Sequence, residues 1–136
     1  MHVNGACHCG AIRFEADVNP DHAVLCHCTD CQAMASAPYR MMVIAAEPDF
    51  SLTAGTLKTY VKETADSGNL RELSFCETCS TQVYATSVGN EGSRMLALRL
   101  GTLDAREQIR PARQIWCQSQ LSWINDLDSL PASAQQ

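Results

Sequence analysis

Ala23-Val24-Leu25-Cys26-His27-Cys28-Thr29-Asp30-Cys31 takes a short apolar run straight into a C-x-C-x-x-C turn, and this junction decides how the rest of the chain reads. Two turns of the same kind lie on either side: Gly5-Ala6-Cys7-His8-Cys9-Gly10 carries C-x-C, and Phe75-Cys76-Glu77-Thr78-Cys79 carries C-x-x-C. Seven of the eight cysteines in 136 residues fall in these three clusters, and only Cys117 stands alone. A cysteine share of about 6% is below the roughly 8–10% that marks a disulfide scaffold. Disulfide frameworks tie distant segments together and gain most from long loops, whereas a metal site brings short thiolate clusters onto one ion. The clustering favours metal over structural disulfides or a redox dithiol.

Thiolates on neighbouring turns can share one tetrahedral zinc at about 2.3 Å each, and a closed four-thiolate set is structural. Cys7, Cys9, Cys76 and Cys79 make such a set; with Cys76 lying 67 positions after Cys9, one ion would staple the N-terminus to mid-chain. Cys26, Cys28 and Cys31 then reach a second ion from one compact turn and leave its fourth position open, which is how catalytic zinc is built. Three thiolates around a divalent ion carry a net charge of about −1, which blunts acidification of water and favours a soft sulfur ligand. The implied chemistry is thiol activation. An iron–sulfur cluster is the alternative for the same donors.

Outward from the clusters the chain reads as strands. Ile12, Phe14, Ala16 and Val18 alternate with Arg13, Glu15 and Asp17, the period-two pattern of a half-buried strand. Residues 23–25, 39–46, 56–61, 70–75, 82–86, 95–100 and 114–117 read as further strands, with a brief helical turn over 29–35 stopped by Pro38. Gly89-Asn90-Glu91-Gly92 reads as a loop of residues that tolerate positive φ. The expected class is mainly β: short antiparallel strands in small sheets with zinc-binding turns. One domain over residues 1–130, followed by a frayed tail over 131–136, accounts for the length.

The longest apolar run, residues 41–46, is six residues, against the roughly 18 needed to span a membrane. The first residues have neither a basic start nor an apolar stretch of signal-peptide length, so a cytoplasmic protein is expected. Ten Lys+Arg against fifteen Asp+Glu give a net charge of −5, which speaks against a nucleic-acid partner. Seven thiolates and two zinc ions would take that formal charge to −8, which works against an anionic substrate.

The three cysteine clusters, followed by Leu98-Arg99-Leu100-Gly101-Thr102-Leu103-Asp104 and Gln114-Ile115-Trp116, resemble the glutathione-dependent formaldehyde-activating enzyme family, a group that takes in centromere protein V-like zinc proteins. The resemblance covers nearly the whole chain in order. It implies a β-tent-like fold with two zinc ions per chain, one on Cys7, Cys9, Cys76 and Cys79, and a catalytic one on Cys26, Cys28 and Cys31. It also implies a carbon–sulfur lyase activity that joins a small thiol, glutathione in the founding members, to formaldehyde. The partner would be a small-molecule thiol or its aldehyde adduct. Where the family often carries a basic pair after the third catalytic cysteine, and later a glycine, this chain has Gln32, Ala33 and Ser36. Arg40, Lys58 or Lys62 would then have to supply positive charge. Ser80 replaces a usual glycine after Cys79 and would cost on the order of 1 kcal/mol if the turn is left-handed.

Blander expectations hold elsewhere. Cys117 reads as a small buried residue on the face of Ile115, with a fourth ligand to the second zinc as the alternative, and His27 as a side chain turned away from the ligands on either side of it. His8 and His22 read as solvent or turn residues, and Trp116 and Trp123 as core and tail packing, with lining a pocket as the alternative. No general base is assignable, His27 and Asp30 being neighbours only in sequence. A non-catalytic zinc-stabilised binding module is the alternative to the enzyme.

Overall fold

A computed structural model describes residues 1–65 and 67–135 and shows a mainly β protein of ten strands and one short helix. The strands are β1 (His2–Ala6), β2 (Arg13–Asp17), β3 (Val24–Cys26), β4 (Arg40–Ala46), β5 (Phe50–Ala54), β6 (Lys58–Lys62), β7 (Arg71–Phe75), β8 (Gln82–Ser87), β9 (Met95–Arg99) and β10 (Arg113–Ile115), with α1 (Thr29–Ala35) after β3. They form a three-stranded sheet in the order β1-β2-β5 and a seven-stranded sheet in the order β10-β3-β4-β9-β8-β7-β6. Every pairing is antiparallel except that of β10 with β3. The larger sheet is therefore mixed, and wider than the small antiparallel sheets expected.

The two sheets close on one core. Val3, Ile12, Phe14, Ala16 and Val18 come from the smaller sheet and its edges, and Val43, Ala45, Leu96 and Leu98 from the larger. Phe14 is 2% exposed, a burial that stabilises by about 2–3 kcal/mol. Its ring covers Gly5, where an added Cβ would lie 2.1 Å from the ring, so β1 needs glycine opposite this aromatic. The alternation over residues 13–17 gives the expected pattern of buried Phe14 and Ala16 between exposed neighbours.

Seven of the eight strands expected from sequence are present to within about two residues, α1 covers the expected 29–35, and Gly89, Asn90 and Gly92 have positive φ. The last strand ends earlier than expected, at Ile115, and two strands were not anticipated, β1 and β5. Trp116 adopts a left-handed conformation (φ 58°) that stops β10, and Cys117 then begins a 3₁₀ turn over Cys117–Ser119, exposed to solvent. The expectation of a buried Cys117 on a strand face is thereby corrected. Trp116 and Trp123 are likewise 37% and 48% exposed and belong to no core. Of the tail, 131–135 are exposed and outside regular structure, and Gln136 lies outside the described residues.

Candidate metal centres

Cys7 and Cys9 lie on the turn between β1 and β2, and Cys76 and Cys79 on the turn between β7 and β8. Each turn is shaped by its own backbone. Gly10 N–H donates to Cys7 C=O at 3.0 Å and Ser80 N–H to Cys76 C=O at 2.8 Å, with Gly10 and Ser80 at φ 78° and 62°. The left-handed turn expected at Ser80 is present. Topology brings the two turns together: their four sulfurs lie within 4.8 Å of one another, with Cys7 to Cys9 at 3.5 Å and Cys9 to Cys76 at 3.8 Å. Four sulfurs at 2.3 Å from one zinc stand about 3.8 Å apart, whereas a disulfide needs about 2.05 Å. All eight cysteines are free thiols. Cys7 and Cys76 are 4% and 1% exposed, whereas Cys9 is exposed and Cys79 half-buried, so a metal here would rest against the core on its Cys7 and Cys76 side and join the two sheets.

Hydrogen bonds fix the sulfurs. Ile12 N–H donates to Cys7 Sγ at 3.2 Å, and the Thr81 hydroxyl is 3.2 Å from Cys79 Sγ. The Thr81 hydroxyl and N–H, with the N–H of Cys9, hold the Cys79 thiol down at about 5. Cys9 is drawn down by the Ala11 N–H, but sharing hydrogen with Cys7 and Cys79 pushes it up to about 11. With no cation, four crowded sulfurs divide into those that ionise and those that keep a proton. A divalent ion is what lets all of them ionise together, and the donor set fits zinc.

The second cluster forms at a strand-to-helix junction. Cys26 closes β3, Cys28 caps α1 by accepting the Cys31 N–H at 3.3 Å, and Cys31 sits in the first turn. These three sulfurs also lie within 4.8 Å of one another, and among the described residues no fourth Cys, His, Asp or Glu joins them. Cys26 is lowered, chiefly by hydrogen bonding from Cys31, while Cys31 is pushed well above the ordinary thiol value by the same contact and by burial. The set is three soft donors wanting one cation.

This trio opens on a cavity of about 310 Å³, at the lower end of the roughly 300–1,000 Å³ typical of small-molecule sites. Every strand of the larger sheet contributes to it: Ile115, Cys26, Arg40, Arg99, Ala85, Arg71 and Lys62 come from β10, β3, β4, β9, β8, β7 and β6 in sheet order. Asp30 and Trp116 complete the wall, and Asp30 Oδ2 accepts from Lys62 Nζ at 2.7 Å. Of the cations considered from sequence, Arg40 and Lys62 line the cavity, whereas Lys58 pairs with Glu77 at 2.7 Å and does not. Trp116 lines the cavity, the lesser of the two roles its sequence position suggests, and Arg71 and Arg99 join it there unanticipated. Gln32 is a brace, its amide donating to His27 C=O and Ser119 C=O at 2.8 Å each. This ties α1 to the segment after β10, next to Trp116.

His27 points away from the sulfurs, as expected. It is 1% exposed, meets Gln114 Oε1 at 2.7 Å, and packs edge-on against Tyr39. His8 and His22 are exposed. Among the described residues no helix is long and apolar enough to cross a membrane.

The family model described as glutathione-dependent formaldehyde-activating enzyme matches residues 2–119. The chain belongs to this family. Both cysteine clusters of the glutathione-dependent formaldehyde-activating enzyme family member described here, and the whole cavity wall, fall inside the matched span. Its fold is also similar to a Rhodobacter sphaeroides protein solved by crystallography in a structural-genomics programme. The two share 19% identity over 82% of this chain and 98% of the other, with a TM-score of 0.60. That likeness concerns the fold.

Proposed function

We propose that Cys26, Cys28 and Cys31, carrying zinc, form the reactive centre of a carbon–sulfur lyase-type enzyme. It would add a small thiol, glutathione being one candidate, to an aldehyde such as formaldehyde, or release it from the adduct. One observation carries this reading: the four-sulfur set has its full complement of four donors, while the three-sulfur set has no fourth donor among the described residues and faces a cavity large enough for a small molecule. When bound, zinc on three sulfurs supplies a soft Lewis acid that lowers the pKa of a thiol from about 8.5 and raises its nucleophilic fraction at pH 7.

The residues of the chain do the rest. In the addition direction the thiol sulfur forms a bond to the carbonyl carbon, the carbonyl π pair moves to oxygen, and that oxygen takes up the proton the thiol gives up; release is the reverse. Asp30, anchored by Lys62, is the carboxylate on the cavity wall and the group proposed to pass that proton. Leu73, Ala85, Ala97 and Ile115 give the cavity apolar lining that keeps bulk water from competing with the thiol. His27, turned toward Gln114, takes no part.

Exchange NMR on glutathione and formaldehyde with the zinc-loaded protein tests the reading. Exchange between formaldehyde hydrate and the hydroxymethyl adduct is expected to exceed the uncatalysed rate and to fall back to it in Cys31→Ser. A rate no faster than the uncatalysed one, with two zinc ions bound, rules out the glutathione version.

A further inference from the structure

Three guanidinium groups converge on the cavity in front of the cysteine trio. Arg40 opens β4, Arg99 closes β9 and Arg71 opens β7, and all three line the cavity. Arg40 and Arg99 are only 5% and 9% exposed, and the Nε atom of each is buried without a hydrogen-bond partner. Arg40 donates from Nη1 to Gln82 Oε1, a neutral acceptor. Among the described residues no carboxylate lies within ion-pair distance of Arg40, Arg71 or Arg99, while the nearby acids are taken by Lys62 (Asp30) and Arg94 (Glu47 and Glu72).

Such an arrangement is costly in a resting protein, because buried guanidinium stays charged and needs acceptors. Burial, with Arg40 and Arg71 close by, pushes Arg99 down to about 9, although Cys31 and Cys26 pull the other way. The cysteine trio neutralises only part of the charge: with zinc it carries about −1, against three arginines, and the Lys62–Asp30 pair is neutral. Among the described residues a surplus of about two positive charges remains in a cavity of small-molecule size. An acidic chain has put its local charge opposite to its net charge where a substrate would enter.

We propose that this cavity is an oxyanion receptor, in which Arg99 and Arg40, with Arg71 beside them, hold the carboxylate of a small thiol whose sulfur reaches the Cys26–Cys28–Cys31 centre. The inference rests on the thiol reading above and narrows its substrate class to acidic thiols. The planar guanidinium fork matches a carboxylate through two parallel hydrogen bonds. Positive charge expected from a basic pair at residues 32 and 33 is thus supplied by the sheet, and the net charge of the surface does not decide the sign of the substrate.

The test compares 3-mercaptopropionate with 3-mercaptopropan-1-ol by calorimetry on the zinc-loaded protein, and follows both in the visible spectrum of the cobalt-substituted protein. Glutarate serves as an anion without a thiol. The acid is expected to bind about 10- to 100-fold more tightly than the alcohol, and glutarate is expected to compete with it. Arg99→Met should bring the ratio of acid to alcohol near one while leaving the alcohol's affinity and the ligand-free melting temperature undiminished. Arg71→Met, at a half-buried position, provides the same comparison should Arg99→Met fail to fold. Equal affinities for acid and alcohol in the parent protein overturn the receptor and leave the thiol reading standing; so does a ratio unchanged in the arginine variants. If neither thiol alters the cobalt spectrum but glutarate binds in an Arg99-dependent way, the thiol reading fails and the acidic-thiol assignment is overturned with it, leaving an anion site only.

Discussion

Replacing Cys76 with serine tests whether the four-sulfur cluster holds the fold together. The Cys76 sulfur lies 3.8 Å from that of Cys9, across 67 residues of chain, and its side chain is 1% exposed. The substitution removes one of four donors that join the β1–β2 turn to the β7–β8 turn and leaves a hydroxyl in the core. A closed zinc site contributes roughly 10–16 kcal/mol of apparent folding energy, against a total of about 7–20 kcal/mol for a domain of this length at 0.05–0.15 kcal/mol per residue. Losing the ion removes about 10–16 kcal/mol, comparable to that whole total. Urea denaturation followed by circular dichroism, with zinc counted in the same sample, should show Cys76→Ser unfolding at much lower urea with one zinc lost. Cys28→Ser, in the cluster that faces the cavity, should lose a zinc for a cost of about 1 kcal/mol, the ordinary effect of a partly exposed substitution. Equal destabilisation by the two variants, or a Cys76→Ser midpoint unchanged from the parent, would refute the division of labour between the sites.

Two further outcomes follow from the backbone and the charges. Ser80 sits at φ 62°, so Ser80→Gly should raise stability by up to about 1 kcal/mol, read as a shift in urea midpoint; no gain would mean that the turn tolerates its side chain. Glu47 is held down at about 2 by the Arg94 guanidinium, and by the N–H groups of Gly92 and Arg94. Because the folded pKa lies below the ordinary 4.5, its contribution is present above that value and is lost as pH falls toward 2. Glu47→Gln should therefore cost about 1–3 kcal/mol at pH 7 and progressively less below pH 4.5, as measured by denaturation across pH; a pH-independent cost would contradict the pairing.

The fold was legible wherever an apolar face declared itself. Residues 13–17, 40–46 and 95–99 alternate or run apolar because one or both faces are buried, and the cysteine spacings already divided into four, three and one. β1 escaped notice because His2, Asn4 and Gly5 have no strand preference, and Gly5 is demanded by the Phe14 ring rather than by local propensity. β5 is an edge strand with Ser51, Leu52 and Thr53 exposed, so no buried face marks it. The arginine receptor was invisible for a different reason: Arg40, Arg71 and Arg99 are brought together only by the order of strands in the sheet. A local trace exists in Leu98-Arg99-Leu100, a charge inside an apolar run, which signals a buried cation without naming its partner. Cys117 was misjudged because the left-handed Trp116 that ends β10 is not a residue type that announces such a turn.

The central claim is that two cysteine clusters bind metal for two purposes, and native mass spectrometry of the parent protein and of Cys31→Ser tests it most directly. The account predicts two zinc ions and fully reduced thiols in the parent, and one zinc in a variant that keeps the compact charge-state distribution of a folded chain. A parent mass lowered by the hydrogens lost to disulfides at the clustered cysteines would contradict it, as would a Cys31→Ser variant that retains both ions or unfolds.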